Sequence, residues 1–107
     1  MKLSIIIPCY NEAQDITKNV AIVKDYLNEK NIDYELLLVN DGSKDNTKEV
    51  IEAIPGIIPL SYDKNRGKGG AVKYGIENAK GNYVLFMDAD LSTDISAIEK
   101  VVELAPN

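Results

Sequence analysis

Two carboxylates stand one residue apart in "FMDADLS", Asp88 and Asp90, directly behind the apolar run Tyr83 to Met87. On an extended chain such residues share a face, roughly 7 Å apart. At an effective dielectric of about 20 they repel by roughly 2 to 3 kcal/mol. A fold gains nothing from that repulsion unless a positive charge sits with them, and a divalent cation held by oxygen is the simplest such charge. The plain alternative is one Asp capping a following helix while the other is solvated. Asp-x-Asp by itself does not choose between the two.

The rest of the composition narrows the chemistry. The chain of 107 residues contains no histidine and one cysteine, Cys9. That excludes histidine triads, histidine general bases, thiolate metal sites and a disulfide framework. Any metal is therefore oxygen-ligated, which favours Mg2+ or Mn2+. A net charge of −5 argues against a nucleic-acid surface, because phosphate backbones are held by clustered Lys and Arg. Positive charge concentrates only in "KNRGK", Lys64 to Lys68, which suits a small anionic ligand better than a polyanion. Gly67, Gly69 and Gly70 either let the backbone turn tightly into a helix or expose amides to a phosphate, with Arg66 and Lys68 adding charge. The Walker pattern is absent. The Gly67-x-Gly69 pair lacks the third small residue of a dinucleotide fingerprint, since Val72 stands there, and it follows the third strand rather than the first.

These groups need a frame to bring them together. The length fits one domain, and the 45% hydrophobic and 27% charged content is that of an ordinary globular chain. No apolar run is long enough to cross a bilayer and no signal pattern opens the chain, so a cytoplasmic location is expected. Four βα-like units follow one another. Leu3 to Pro8, Tyr34 to Asn40, Ile57 to Tyr62 and Tyr83 to Met87 read as strands. Ile16, Val20, Val23 and Leu27 mark a helix from about Glu12 to Glu29, with Asn11 and Gln14 as a capping box. Val50, Ile51 and Ile54 mark a second helix ending before Pro55. Val72, Ile76 and Ala79 give a third, closed by Gly81. A fourth is expected after Thr93, carrying Ile95, Ile98 and Val102.

Continuous apolar strands alternating with amphipathic helices indicate a doubly wound α/β domain with a parallel sheet. Pro59 cannot donate to a ladder, which puts the third strand at an edge and predicts the order 3-2-1-4. Ligands in such sheets bind beyond the carboxyl ends of the strands, near the point where strand order reverses. The segments following the strands are "PCYNE", "NDGS", "DKNRGKGG" and "DAD", so the polar and charged clusters converge on one rim. Each also has a bland explanation: Asn11 and Ser43 as helix caps, Asp41-Gly42 as a turn pair.

Taken together, "SIIIPCYNEAQDI", "ELLLVNDGSKDNT" and "NRGKGGAVKYGIENAKGNYVLFMDADLST" resemble family 2 glycosyltransferases of the GT-A fold. The branch most alike transfers sugar to dolichyl or other polyprenyl phosphates. The resemblance spans nearly the whole chain. It implies a nucleotide-diphosphate-sugar donor of the UDP-glucose or GDP-mannose class, with Mg2+ or Mn2+. It places Pro8, Tyr10 and Glu12 beside the base and ribose, Asn11 among the residues that bind the nucleotide sugar, and Asp41 on the base. Arg66 and Lys68 come near the diphosphate, Asp88 and Ala89 near the donor, and Asp88 and Asp90 at the metal, Asp90 most directly. Asn40 stands where many relatives have an Asp.

Family members are about twice this long or more, so the chain reads as the donor-binding half, 1–107. The remainder is expected to supply the lipid-phosphate acceptor site, a catalytic base where one is needed, and membrane-attaching segments. An exposed fourth strand is expected to drive self-association. A non-catalytic structural or interaction domain is the alternative. A receiver-type phosphoacceptor domain fits poorly, because the first-strand rim holds "PCYNE" rather than an acidic cluster.

Overall fold

A computed structural model describes residues 2–89. Within them four strands and three helices alternate: β1 (Leu3–Cys9), α1 (Ile16–Glu29), β2 (Tyr34–Asp41), α2 (Thr47–Glu52), β3 (Ile58–Tyr62), α3 (Gly67–Asn78) and β4 (Tyr83–Phe86). The expected fourth helix and Asp90 lie outside the described residues.

The strands form one sheet in the order β3-β2-β1-β4, with every pairing parallel. The order expected from Pro59 is therefore the observed one. Pro59 sits opposite Leu38 on the edge strand, where a missing N–H costs least. The two central strands are buried on both faces, which is why their sequences run apolar without alternation. On one face Ile5, Ile7, Leu36 and Leu38 pack with Ile16, Val20, Val23 and Leu27 of α1 and Ile51 of α2. On the other, Ile6, Leu37 and Val39 meet Ala71 of α3. Helices cover both faces, and both layers of core meet at β1 and β2.

Two helix starts differ from the sequence expectation. The first helix begins at Ile16, not near Glu12, because Asn11 adopts a left-handed φ of 54° that no helix start tolerates. Its side-chain oxygen is taken by the Lys44 N–H, so no capping box forms. The far end of α1 closes as a Schellman turn. Asn31 is left-handed at φ 56°, and the Ile32 N–H reaches the Leu27 carbonyl at 3.0 Å.

The third helix starts inside the glycine cluster, so Lys68, Gly69 and Gly70 are helical rather than loop residues. Its inward face is made by Ala71 and Gly75, not by the expected Val72–Ile76–Ala79 stripe, and Ile76 is 51% exposed. A Cβ at Gly75 would lie 2.6 Å from Ile6 Cγ2, so this glycine sets how closely α3 approaches the sheet. The fourth strand is short, four residues, and occupies the edge beyond β1. Val84 and Phe86 pair with Ser4 and Ile6, and both are more than two-fifths exposed on the α3 side.

Candidate functional site

The loops after β1, β2 and β4 and the start of α3 meet at the carboxyl rim of the sheet. They enclose a cavity of about 380 Å³. Pro8, Cys9, Tyr10 and Glu12 form one wall and Asp41 the floor. Lys68 from the first turn of α3 and the Asp88–Ala89 turn form the opposite wall. Seven of the residues singled out from the sequence thus surround one space. Asn11 and Arg66 are not among its lining residues, and Asp90 lies outside the described residues.

Asn11 has a holding role. Its N–H donates to Ser43 Oγ at 3.0 Å, and its Oδ1 accepts the Lys44 N–H at 2.9 Å. Beside it the Glu12 N–H donates to Thr47 Oγ1 at 2.9 Å, and the Ala13 N–H reaches Asp45 Oδ2 at 3.4 Å. The "SKDNT" segment is therefore a clasp that fixes the β1–α1 loop against the β2–α2 loop. Ser43 is part of this clasp rather than a helix cap. Asp45 is set for the task by its own turn, accepting the Thr47 N–H at 2.9 Å and the Thr47 hydroxyl. The hydroxyl bond is the chief reason its carboxyl titrates below the usual range. Asn40 closes the β2 turn, its Oδ1 taking the Ser43 N–H at 3.1 Å. This leaves Tyr10, 41% exposed, presented at the cavity by a loop fixed from behind.

Asp41 is 4% exposed and heavily used. Its Oδ1 accepts the Tyr62 hydroxyl at 2.5 Å and the Arg66 N–H at 2.8 Å, and its Oδ2 accepts Asn65 Nδ2 at 3.0 Å. One carboxylate thus pins the β3–α3 loop to the end of β2. Gly42 makes this approach possible: its φ is +64°, and a Cβ there would lie 2.4 Å from the Asn65 nitrogen. Burial and the Asp41 carboxylate together push the Tyr62 phenol well above its ordinary value, so Tyr62 stays a donor. The Arg66 guanidinium lies over the Tyr62 ring at 4.1 Å and near Tyr74 at 5.5 Å, which seats it behind the cavity.

Lys68 Nζ pairs with Asp88 Oδ1 at 2.8 Å and lies 5.4 Å from the Phe86 ring centre. The pair is well exposed, and such pairs contribute little net stability. Its exchange for another partner is correspondingly inexpensive. Asp88 stands two residues past the end of β4, so the acidic turn begins beyond the ladder rather than within it. No group of three His, Cys, Asp or Glu side chains among the described residues is placed to hold a metal ion. Mg2+ bound with a phosphorylated ligand needs only one or two carboxylates, the rest of its shell coming from phosphate and water. Asp88, which lines the cavity, supplies one such carboxylate.

Cys9, which no sequence argument singled out, lines the cavity wall. Its thiol donates to the Ile7 carbonyl at 3.3 Å, and burial, with Glu12 adding, pushes its pKa up to about 12. It is an inert packing group.

The family model described as "Glycosyl transferase family 2" matches residues 4–107. The bactoprenol glucosyl transferase of Shigella phage SfV is 35% identical over 107 residues, covering 96% of this chain and 35% of that protein. The dolichyl-phosphate beta-glucosyltransferase of Dictyostelium discoideum is 38% identical over 113 residues, with 95% and 35% covered. The chain thus spans about a third of the length of these relatives. Among solved structures, the mannosyltransferase PcManGT of Pyrobaculum calidifontis, in complex with GDP-Man and Mn2+, superposes with a TM-score of 0.74 at 25% identity. That match covers 98% of this chain and 32% of the other. S. aureus TarS 1-349 in complex with UDP-GlcNAc gives 0.73 at 26% identity, covering 96% and 30%. With the family model covering nearly all of the chain and the sheet order of its rim matching the expectation, the chain belongs to glycosyl transferase family 2.

Proposed function

We propose that the chain is the donor-binding part of an enzyme that moves a sugar from a nucleoside-diphosphate sugar to a lipid phosphate of the polyprenyl or dolichyl type. The observation that carries this reading is the cavity itself. It gathers an aromatic side chain, a pinned carboxylate, a lysine and the start of the acidic turn at the carboxyl rim of a parallel sheet, where the fold collects ligands. The acceptor class is supported by the named activities of the bactoprenol and dolichyl-phosphate relatives.

In this reading Pro8, Tyr10 and Glu12 border the base and ribose, and Asn11 contributes by fixing their loop through the clasp. Asp41 meets the base with the acceptor capacity its internal hydrogen bonds leave on Oδ2. Lys68 turns from Asp88 to the diphosphate, and Arg66 adds charge from its seat on the tyrosines. Asp88 and Asp90 hold Mg2+ or Mn2+, supported by the Mn2+ in the PcManGT complex. When bound, the ion neutralises charge on the departing nucleoside diphosphate. The Ala89 backbone lies against the donor between them.

Calorimetry of the full-length gene product with UDP-glucose and with GDP-mannose, each in Mn2+ and in chelator, tests this. Metal-dependent binding to one donor that disappears in Asp90→Ala is expected. Equal binding in chelator would overturn the metal assignment, and no binding to either donor would leave a structural domain as the better reading. We also propose that the 107-residue chain self-associates through β4, the last strand of the sheet among the described residues, where Val84 and Phe86 offer exposed apolar surface. A concentration-independent monomer in sedimentation equilibrium would refute it.

A further inference from the structure

The acidic turn after β4 is held from beneath by a residue on α1. The buried stripe of α1 is Ile16, Val20, Val23 and Leu27, all within 1% of full burial. Asn19 falls on the same side of the helix, three residues after Ile16 and four before Val23, positions that stack on one face. Its side chain enters a small niche lined by Ile7, Ile16, Val20 and Val23, roofed by Asp88 and Ala89. An amide in apolar surroundings is costly unless its polar atoms are bonded. Here Asn19 Nδ2 donates to the Ala89 carbonyl at 2.9 Å, a partly buried contact between residues 70 apart in sequence. A leucine at this position would complete the stripe and bury more apolar surface.

Ala89 is the middle residue of Asp88-Ala89-Asp90. Its carbonyl is part of the turn that Asp88 opens, so an oxygen held in direction from α1 restrains the backbone of the Asp88–Ala89 turn. We propose that Asn19 is a positioning residue for the acidic turn: it holds the Ala89 carbonyl from the helix side, so that the turn carrying Asp88 is preset for the cation that accompanies the donor diphosphate. The proposal rests on the metal-dependent donor reading above. It adds a residue outside the cavity that governs the metal-dependent part of binding and not the nucleotide contacts, which come from Tyr10, Glu12 and Asp41 on other loops.

The test is titration of UDP and GDP into the full-length gene product, each in Mn2+ and in EDTA, for wild type and Asn19→Leu. The quantity read is the gain in nucleotide affinity given by Mn2+. For Asn19→Leu that gain is expected to fall roughly tenfold, the scale of one well-placed hydrogen bond, with affinity in EDTA unchanged to about twofold. The thermal midpoint should change little, because the added apolar burial offsets the loss of the donor to the Ala89 carbonyl. A residue that merely supported the fold would lower binding in both conditions alike. A Mn2+ gain equal to that of wild type overturns the proposal. Should Asn19→Leu fail to fold, Asn19→Asp is read instead. Its added negative charge would by itself favour a cation, so a reduced gain supports the positioning role and an unchanged or larger gain overturns it. Failure of the underlying reading is distinct, since wild type would then show no Mn2+ gain with either nucleotide.

Discussion

The two ends of the sheet are both rich in polar groups, and they use them in opposite ways. At the amino end of the strands, Ser4 Oγ donates to Glu35 Oε2 at 2.6 Å and accepts the Gly81 N–H at 2.8 Å. The same Glu35 oxygen takes the Lys80 N–H at 2.6 Å, and Lys2 and Asn82 exchange bonds through the Lys2 N–H and carbonyl. There the polar groups of the described residues bond to one another. At the carboxyl end, polar groups are spent on fastening loops to one another around an opening. The "SKDNT" clasp and the Asp41 hub fix the walls, and a cavity remains between them. Polarity at a strand end therefore does not mark a site. What marks it is polar groups used to brace an opening, with charged groups such as Lys68 and Asp88 facing in.

The largest expected break in this comparison is Gly81→Ala at the closed end. A Cβ there would lie 2.5 Å from Ser4 Oγ and 2.8 Å from the Lys2 carbonyl oxygen. The clash is with a buried hydroxyl and with backbone, neither of which can swing away. A loss of about 3 kcal/mol is expected in urea denaturation, the upper part of the range for overpacking. Nucleotide affinity of the protein that remains folded should be unchanged, because no cavity wall touches Gly81.

Asp45→Ala probes the open end and should show the reverse. Asp45 is exposed, and its loss removes the brace on the Ala13 and Thr47 amides. Stability should fall by less than about 1 kcal/mol, the scale of a lost cap. Nucleotide affinity should fall more than that in calorimetry, since the loop carrying Tyr10 and Glu12 is no longer clasped. If the two variants instead moved stability and binding in parallel, the division between a closed and an open end would be wrong.

The strands and their order were legible because burial on both faces leaves continuous apolar runs, and because a single proline marks an edge. The convergence of Pro8, Tyr10, Glu12, Asp41, Lys68 and Asp88 was legible for the same reason, since topology alone carries the ends of parallel strands to one rim. The helix starts were not. Asn11 looks like a cap in sequence, yet its side chain is taken by the Lys44 amide, a partner 33 residues away that no local pattern records. In α3 the inward residues are the smallest, Ala71 and Gly75, so counting large apolar residues pointed to the outer face. Asn19 escaped for a related reason: a polar residue inside an apolar stripe is discounted when the stripe is counted, although that misfit was its signal. Arg66 was legible as a charge but not as a ring-stacked one, because Tyr62 and Tyr74 come from different elements.

The smallest expected effect concerns pH at the closed end. Burial works to raise the Glu35 carboxyl, but the Lys80 N–H, the Ser4 hydroxyl and the Lys2 charge outweigh it, and the group titrates below its ordinary 4.5. A carboxylate held below its unfolded value contributes stability that is full above that value and is lost as pH falls through the folded one. Stability of the wild-type chain should therefore drop below about pH 4.5 in part through this group. In Glu35→Gln the drop should be shallower, because an amide does not titrate, while the plateau near neutral pH should sit slightly lower. Thermal midpoints measured across that window check it. Asp45, also held below the usual range, is the needed control: its removal should flatten the same window and also weaken nucleotide binding, whereas removing Glu35 should leave binding as it was. Only that difference separates a titrating group that closes the fold from one that braces the site.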